Sequence, residues 1–552
     1  MAIDHGVTRR RTGSWLTLGL LAVAVAVPVA AVAWRAVHPD GTLGPDAVTR
    51  VLSSARTWRL LGVTVAQAAV STAVTVLVGL PVAWVLGTFR FRGRRLVRAL
   101  ALVPFVLPSV VLATAVAAVL GPTGPVDLRG TWWAVIIAHL SFNLAVVVLV
   151  VGGAVAARTR SLDDAGRLLG VGPLHALWRV TVPAVAPAIA SAAAVVFLFC
   201  LTSFGVVVIL GGGTVTTLEV EIWIRATRQY DLSGAAVLAM VQIVAVVAAL
   251  GVHARVARHT GAAAGVAARR RPTVTSERVA VVLASGVVAL VAGVPLAAVA
   301  VRSLHIGPAL TFANWTRLGS VTQGTGLAIS PAQVAVTSLV TASIATVFAV
   351  AIAVPTAALV AHRPGGVAER ISLLPIAVSA ITIGFGLVLV AGRPPVDLRG
   401  SWWLIPAAQA LVAVPLVVRV VAPALRAVPR AAVDTAAMLG ASPRARWWRV
   451  ELPAVRGAVG GGAALAFVAS LGEFGATVFL ARPERTTLPV AIEQLMSRPG
   501  PAGFGQAMAL SCVLVVVCGA VLVAIDTVAE RRGGRAGAGA RGTMAAWTSS
   551  PT

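Results

Sequence analysis

DDAGRLLGVGPLHALWRVTVP, at residues 163–183, returns near the other end of the chain as DTAAMLGASPRARWWRVELP, at 434–453. At an offset of 270 residues, Asp164 falls on Asp434, Gly170 on Gly440, Trp178 on Trp448, Arg179 on Arg449 and Pro183 on Pro453. Each copy is a polar segment between two long apolar runs. Loops are ordinarily the freest part of a chain. A polar loop kept twice in register therefore has a fixed shape to maintain.

The same offset recurs on either side of the loop. PVDLRGTWW at 125–133 matches PVDLRGSWW at 395–403, and FGVVVILGGGTVTTLEV at 204–220 aligns with FGATVFLARPERTTLPV at 474–490. VPVAAVAWR at 27–35 and VPLAAVAVR at 294–302 read as the outer ends of equivalent helices. Ala31-Val32-Ala33 imitates a signal-peptidase site, but its counterpart lies mid-chain, where no signal peptide can be. The chain reads as an internal duplication.

Composition sets the environment. The 552 residues are 58% hydrophobic and 12% charged, with a mean hydropathy of +0.91, far outside the range of soluble domains. Apolar stretches long enough to cross a bilayer run over 15–34, 60–87, 99–120, 132–157, 184–210, 235–253, 279–301, 334–361, 371–391, 402–425, 454–480 and 507–526. Many are rich in Ala, Val and Gly, which suits closely packed membrane helices. The expected fold is an all-α polytopic membrane protein of about 12 transmembrane helices, arranged as two six-helix repeats. Six is an even number, so both repeats enter the membrane in the same sense and are parallel. The first repeat covers 1–254, an Arg-rich cytosolic linker 255–278, the second repeat 279–530 and a disordered tail 531–552. With the N-terminus inside, 29 Arg fall in cytosolic segments and 14 in the opposite loops. That positive-inside bias puts both termini in the cytosol of a bacterial cell.

Several function classes drop out. A net charge of +26 could point to nucleic acid, but such binders cluster basic residues with aromatics on a solvated face. Here the charges form short groups between apolar runs, so the lipid bilayer is the expected partner and nucleic acid is not. All 45 basic residues are Arg. Without Lys there is neither a Walker A loop nor a Schiff base. If ATP drives this chain, the ATP, the Mg ion and the ATPase belong to another polypeptide, and no cofactor is expected here. Cys200, Cys512 and Cys518 lie inside apolar runs without metal-type spacing and read as inert thiols. No nucleophile–base pair, metal cluster or paired carboxylates converge, which disfavours an enzyme.

The repeated loop has a helix–turn–helix pattern. Ser161 and Asp164 stand at capping-box spacing, with Gly170 placed to end the first short helix. In the second copy Gly440 does so, and Ser442-Pro443 provides an N-cap and a first-turn proline. A solvated linker needs neither a fixed Gly nor a Trp; a docking knob uses both, with Arg-rich contact. The spacing D-A-G-(3)-G-(9)-V-T-V-P at 164–183 and D-T-A-(3)-G-(9)-V-E-L-P at 434–453 resembles the EAA signature of the permease subunits of binding-protein-dependent ABC importers. The departures are Asp for Glu, Gly166 or Thr435 for one Ala, and Val for Ile.

That resemblance covers nearly the whole chain and implies a transport permease, not an enzyme. Asp164, Ala165, Gly170, Trp178, Arg179 and Pro183 would form one ATPase-coupling loop, and Asp434, Ala436, Gly440, Trp448, Arg449 and Pro453 the other. Two copies of an ABC ATP-binding subunit would grip the two loops, and an extracytoplasmic solute-binding protein would deliver the cargo. A fused permease of this length looks most like the thiamine and iron(III) branch. AHLSFNLAVVV (138–148) and SLGEFGATVFL (470–480) are closer to thiamine permeases, although GEFGAT also resembles molybdate and sulfate permeases. Iron(III) or another small ion stays open as cargo, and an ion-coupled secondary transporter as the other class.

Transport-path candidates are few. Glu473 is an acid expected well inside a span, with Ser203 at the equivalent position of the first half. An intramembrane carboxylate is costly unless paired, so it either attracts a cationic solute or is a hydrogen-bonded structural acid. His139 and Asn143 share a helix face at i, i+4, and either substrate contact or helix–helix hydrogen bonding accounts for them.

Overall fold

The computed structural model describes residues 5–39, 44–122, 124–157, 179, 182–257, 269–307, 309–321, 326–363, 365–392, 397–498, 503–521 and 524. Among these, ten helices are long and apolar enough to cross a membrane: Ser14–Val37, Ala55–Thr88, Trp132–Ala157, Val182–Leu201, Leu232–Arg255, Thr275–Ser303, Pro331–His362, Leu404–Arg426, Pro443–Leu471 and Gly503–Val521. The one paired-strand element among the described residues is a short hairpin, His305–Ile306 against Ala309–Leu310. This is an all-α polytopic protein.

The other two of the twelve apolar stretches are broken, and at matching places. Over 99–120, the helices Arg94–Val106 and Ser109–Leu120 meet at 113°. Pro108 disfavours helical backbone at Leu107, which is extended at ψ 141. Over 371–391 the chain is cut into Val367–Ser372, Leu374–Ala377 and Ala380–Ala391. There Ser379 (ψ 152) starts the last piece, its Oγ accepting the Thr382 N–H at 3.3 Å. Two further stretches stop short. The helices Val182–Leu201 and Leu452–Leu471 end before Ser203 and Glu473, and short helices Gly205–Leu210 and Thr477–Leu480 follow the breaks. Glu473 thus sits in a helix break and not inside a continuous span.

Two buried helices, Leu218–Thr227 and Leu488–Ser497, lie outside the twelve apolar stretches. Their N-termini are tied down alike. The Leu218 N–H donates to Thr64 Oγ1 at 3.0 Å, and the Leu488 N–H to Ser338 Oγ at 2.6 Å. Each hydroxyl stands on the second membrane-crossing helix of its own half, Ala55–Thr88 or Pro331–His362, and it satisfies one of the N–H groups a helix start leaves orphaned. The element order from 55 to 257 is therefore repeated from 331 to 521.

The first helices are exchanged between the halves. Leu18, Leu21 and Val25 of the N-terminal helix share a buried cluster with Ala345, Ala349, Ile383, Val414 and Val417 of the second half. Ala284 and Val288, from the helix that follows the linker, pack with Val82, Val85, Leu86 and Leu144 of the first. Lipid tails are as apolar as these side chains, so close packing, rather than the hydrophobic effect, holds such contacts. A Cβ on Gly386 would lie 2.5 Å from the Pro28 carbonyl oxygen, so only glycine admits the N-terminal helix this closely. The linker end is anchored: the Arg90 N–H donates to the Arg270 carbonyl at 2.7 Å, and Arg270 pairs with Glu277.

Candidate functional site

Where the broken helices meet, a cavity of about 240 Å³ opens between the halves. It gathers His139, Asn143, Ser203 and Glu473, the four transport-path candidates, from three different helices and breaks. A fifth residue completes the set. Glu219, in the first turn of Leu218–Thr227, also lines this cavity and is only 1% exposed.

At the second breaks the backbone packs tightly against the side chains of the bent helix pair Arg94–Val106 and Ser109–Leu120. A Cβ on Gly205 would lie 2.7 Å from Ser109 Oγ, and one on Gly472 would lie 2.7 Å from Pro108 Cγ. Each half thus folds its second break against the proline-bent helix pair. Phe204 and Phe474, equivalent in the repeat, stack with ring centroids 5.0 Å apart and planes 22° apart. The repeat relation runs between these two rings, and both line the cavity.

The polar groups are partly satisfied and partly aimed at nothing. The His139 ring Nδ1 is 3.0 Å from Ser71 Oγ, and Asn143 Nδ2 donates to the His139 carbonyl at 3.0 Å. His139 Nε2 and Asn143 Oδ1 are buried without partners. Glu473 Oε1 accepts the Ala476 N–H at 2.9 Å, while its Oε2 is buried and unpartnered. Glu219 accepts from Gln242 Nε2 at 3.2 Å and from Ser379 Oγ at 3.1 Å, the latter from the opposite half. Among the described residues neither carboxylate forms an ion pair. By contrast Glu221, two residues on, is paired with Arg225 at 3.1 Å and Arg56 at 3.4 Å. A buried charge in such surroundings costs about 3 kcal/mol or more unless a partner arrives.

Glu219 escaped the sequence reading because its segment is too short and too mixed to register as a span. The signal was present in the repeat: Thr216-Thr217-Leu218 returns as Thr486-Thr487-Leu488, which marks a shared element whose next position is Glu219 in the first copy and Pro489 in the second.

The second polar loop is a built turn. Helix Arg430–Met438 carries Asp434 and Ala436. It ends in a left-handed Gly440 (φ 79), whose N–H donates to Ala437 O at 3.0 Å while Ala441 N–H donates to Ala436 O at 2.9 Å. This paired pattern is a Schellman cap. Ser442 Oγ then accepts the Ala445 N–H at 3.2 Å and starts a second short helix with Pro443 in its first turn. Trp448 and Arg449 follow in a π-helical turn that runs into Leu452–Leu471, where Pro453 sits in the first turn. No residue from 430 to 451 is buried. Met438, Leu439 and Trp448 are 80, 82 and 61% exposed, an apolar tip ringed by Arg. Of the first copy, Asp164, Ala165, Gly170 and Trp178 lie outside the described residues. Arg179 is exposed and Pro183 begins the helix Val182–Leu201.

The PVDLRG turns differ between copies. Arg399 donates to Asp397 at 2.7 Å and holds that carboxyl down at about 2. Arg129 instead reaches across to the Met496 carbonyl in the other half at 3.4 Å.

A helical membrane protein built twice, with an exposed helix–turn–helix and a polar cavity between its halves, has the architecture of a transport permease. The chain belongs to the binding-protein-dependent transport system inner membrane component family, which matches residues 79–260 and again 324–532. It is similar to the thiamine transport system permease protein ThiP of Brucella abortus, 25% identical over 511 residues that cover 86% of this chain and 88% of that protein. It is also similar to the molybdenum transport system permease protein ModB of Mycobacterium tuberculosis, 31% identical over 258 residues, which cover 44% of this chain and 94% of that protein. The chain is accordingly a multi-pass inner-membrane permease of a binding-protein-dependent ABC importer, working with an ATPase and a solute-binding protein, and not an enzyme itself.

Proposed function

We propose that the cargo is a small organic cation of the thiamine type, and that it crosses through the cavity between the halves. The observation that carries this reading is the pair of buried carboxylates, Glu219 and Glu473, that line one cavity without a cationic partner among the described residues. Such a site favours a positively charged solute and opposes an oxyanion. The similarity to the thiamine permease supports it, because that match covers 86% of this chain, whereas the match to the molybdenum permease covers 44%. His139 Nε2 and Asn143 Oδ1, both without protein partners, supply directional contacts, and Phe204 and Phe474 offer ring faces to a cation.

In this reading the loops 164–183 and 434–453 each dock one ATPase, so two ATP-binding subunits, with their ATP and Mg, serve one permease. Both loops and both termini face the cytosol, in line with the Arg distribution. Closure of the ATPases draws the two loops together and rocks the halves about the Phe204–Phe474 contact.

The test is uptake of radiolabelled thiamine into proteoliposomes holding the permease, its ATPase and its binding protein. Glu219→Gln and Glu473→Gln should each cut uptake by roughly ten- to a hundred-fold, the worth of one desolvated charge contact, with ATPase binding intact. Uptake of molybdate in place of thiamine, or full uptake in both variants, would overturn the reading.

A further inference from the structure

A second cavity, of about 500 Å³, lies beside the 430–453 loop and takes no part in the translocation site. Trp15 of the N-terminal helix, Leu359 and His362 at the end of Pro331–His362, Arg363, and Val433 and Arg446 of the loop form its walls. Two membrane-crossing helices, Ser14–Val37 and Pro331–His362, begin and end here, so the cleft opens at the level where hydrocarbon gives way to head groups. Its lining sorts by chemistry. Trp15, Leu359 and Val433 make an apolar wall, while two guanidiniums and an imidazole stand against a single carboxylate, Glu451. Among the described residues Arg446 Nε is buried with no hydrogen-bond partner, a donor placed for an acceptor that those residues do not supply. Basic pockets between membrane helices at the cytoplasmic boundary are places where anionic lipid head groups bind.

We propose that this cleft binds one anionic phospholipid, its phosphate held by Arg363 and Arg446 and an acyl chain laid along Trp15, Leu359 and Val433. The cleft joins the N-terminal helix, which belongs to the first repeat, to the loop of the second. A lipid seated there fastens the exchanged helix to the loop and makes the loop's setting depend on the surrounding membrane. This rests on the reading of the loop as cytosolic and ATPase-facing.

The experiment purifies the full-length chain with its ATPase from membranes containing phosphatidylglycerol and reads retained lipid by native mass spectrometry. One phosphatidylglycerol should stay bound in preference to phosphatidylethanolamine. Arg363→Gln with Arg446→Gln should lower its retention by roughly ten-fold or more. Trp15→Ala should weaken retention without changing the charge. Arg363→Gln alone, at an exposed helix end, serves as the second variant if the double variant fails to assemble. Equal retention in the wild type and in Arg363→Gln overturns the proposal. So does equal retention of the zwitterionic lipid, or displacement by millimolar inorganic phosphate, which would make the site one for a free anion. The same count on the full-length chain purified without ATPase separates the two readings. If Met438→Glu leaves ATPase binding untouched while lipid retention persists, the loop assignment fails and the lipid site stands.

Discussion

The two halves share a frame and differ in what they put into it. Each has a long second helix, a helix pair broken near a proline, a helix that stops at a second break, and a short buried helix hung from a hydroxyl on that second helix. At the second break the first half carries Ser203 and the second Glu473; on the short buried helix the first half carries Glu219 and the second Pro489. Each half thus contributes one acid to the cavity, from a different element. Duplication supplied the symmetric scaffold, and substitution at a few lining positions made the path through it asymmetric. A single solute without two-fold symmetry needs such a path.

The stacked ring pair is the place where breaking the comparison should cost most. Phe204→Ala and Phe474→Ala should each destabilise the permease by about 3 kcal/mol, as for a buried aromatic, the first by somewhat more because Phe204 also meets Trp223 edge-on at 5.8 Å. The double variant should fall short of the sum by about 1 kcal/mol, the worth of the stacking itself. Thermal unfolding of the detergent-purified protein measures all three; strictly additive losses would mean that the rings are neighbours without coupling.

Next in size is Gly440. At φ 79 a β-branched side chain is strained, and Gly440→Val should cost about 1–2 kcal/mol. The strain falls on the exposed turn, so it should reach ATPase stimulation by binding protein before it reaches global stability. Unchanged stimulation would show that the turn is not the coupling element.

The smallest effect sharpens the contrast between the loops. Ser442 caps the second short helix, whereas its counterpart in the first copy is Gly172. Ser442→Ala should destabilise its loop by about 1 kcal/mol, and Ser442→Gly by only a few tenths. Hydrogen exchange over 442–446 reads this directly. An equal response to both substitutions would remove the cap from the account.

Much of the frame was legible without coordinates. Uninterrupted apolar runs leave a chain few choices in a bilayer, since every backbone group must be bonded within the segment; hence the helical, polytopic class. Local turn chemistry was equally readable: Gly440 followed by Ser442-Pro443 admits few backbone paths, and the Schellman cap is one of them. The breaks were less so. Pro108 marks one of them, since it disfavours helix at Leu107, but nothing in the hydropathy tells that the two helices there meet at 113° or that the chain breaks at Ser203 and Glu473.

Three matters were decided by tertiary structure alone. The N-terminal helix could have packed on its own half by composition; the close approach of Pro28 to Gly386 places it on the other. Glu219 lies outside every apolar stretch, and only the Thr64 hydroxyl at the start of its helix and the enclosure of its carboxylate by Gln242 and Ser379 place it in the cavity. The His139–Asn143 pair, Ser203 and Glu473 come from three separate segments, and one cavity holds them all. Sequence pattern reports what each segment can bury, because periodicity and turn chemistry are local. Which segments meet depends on shape-matched packing between distant helices, and that is settled only when the whole chain is assembled.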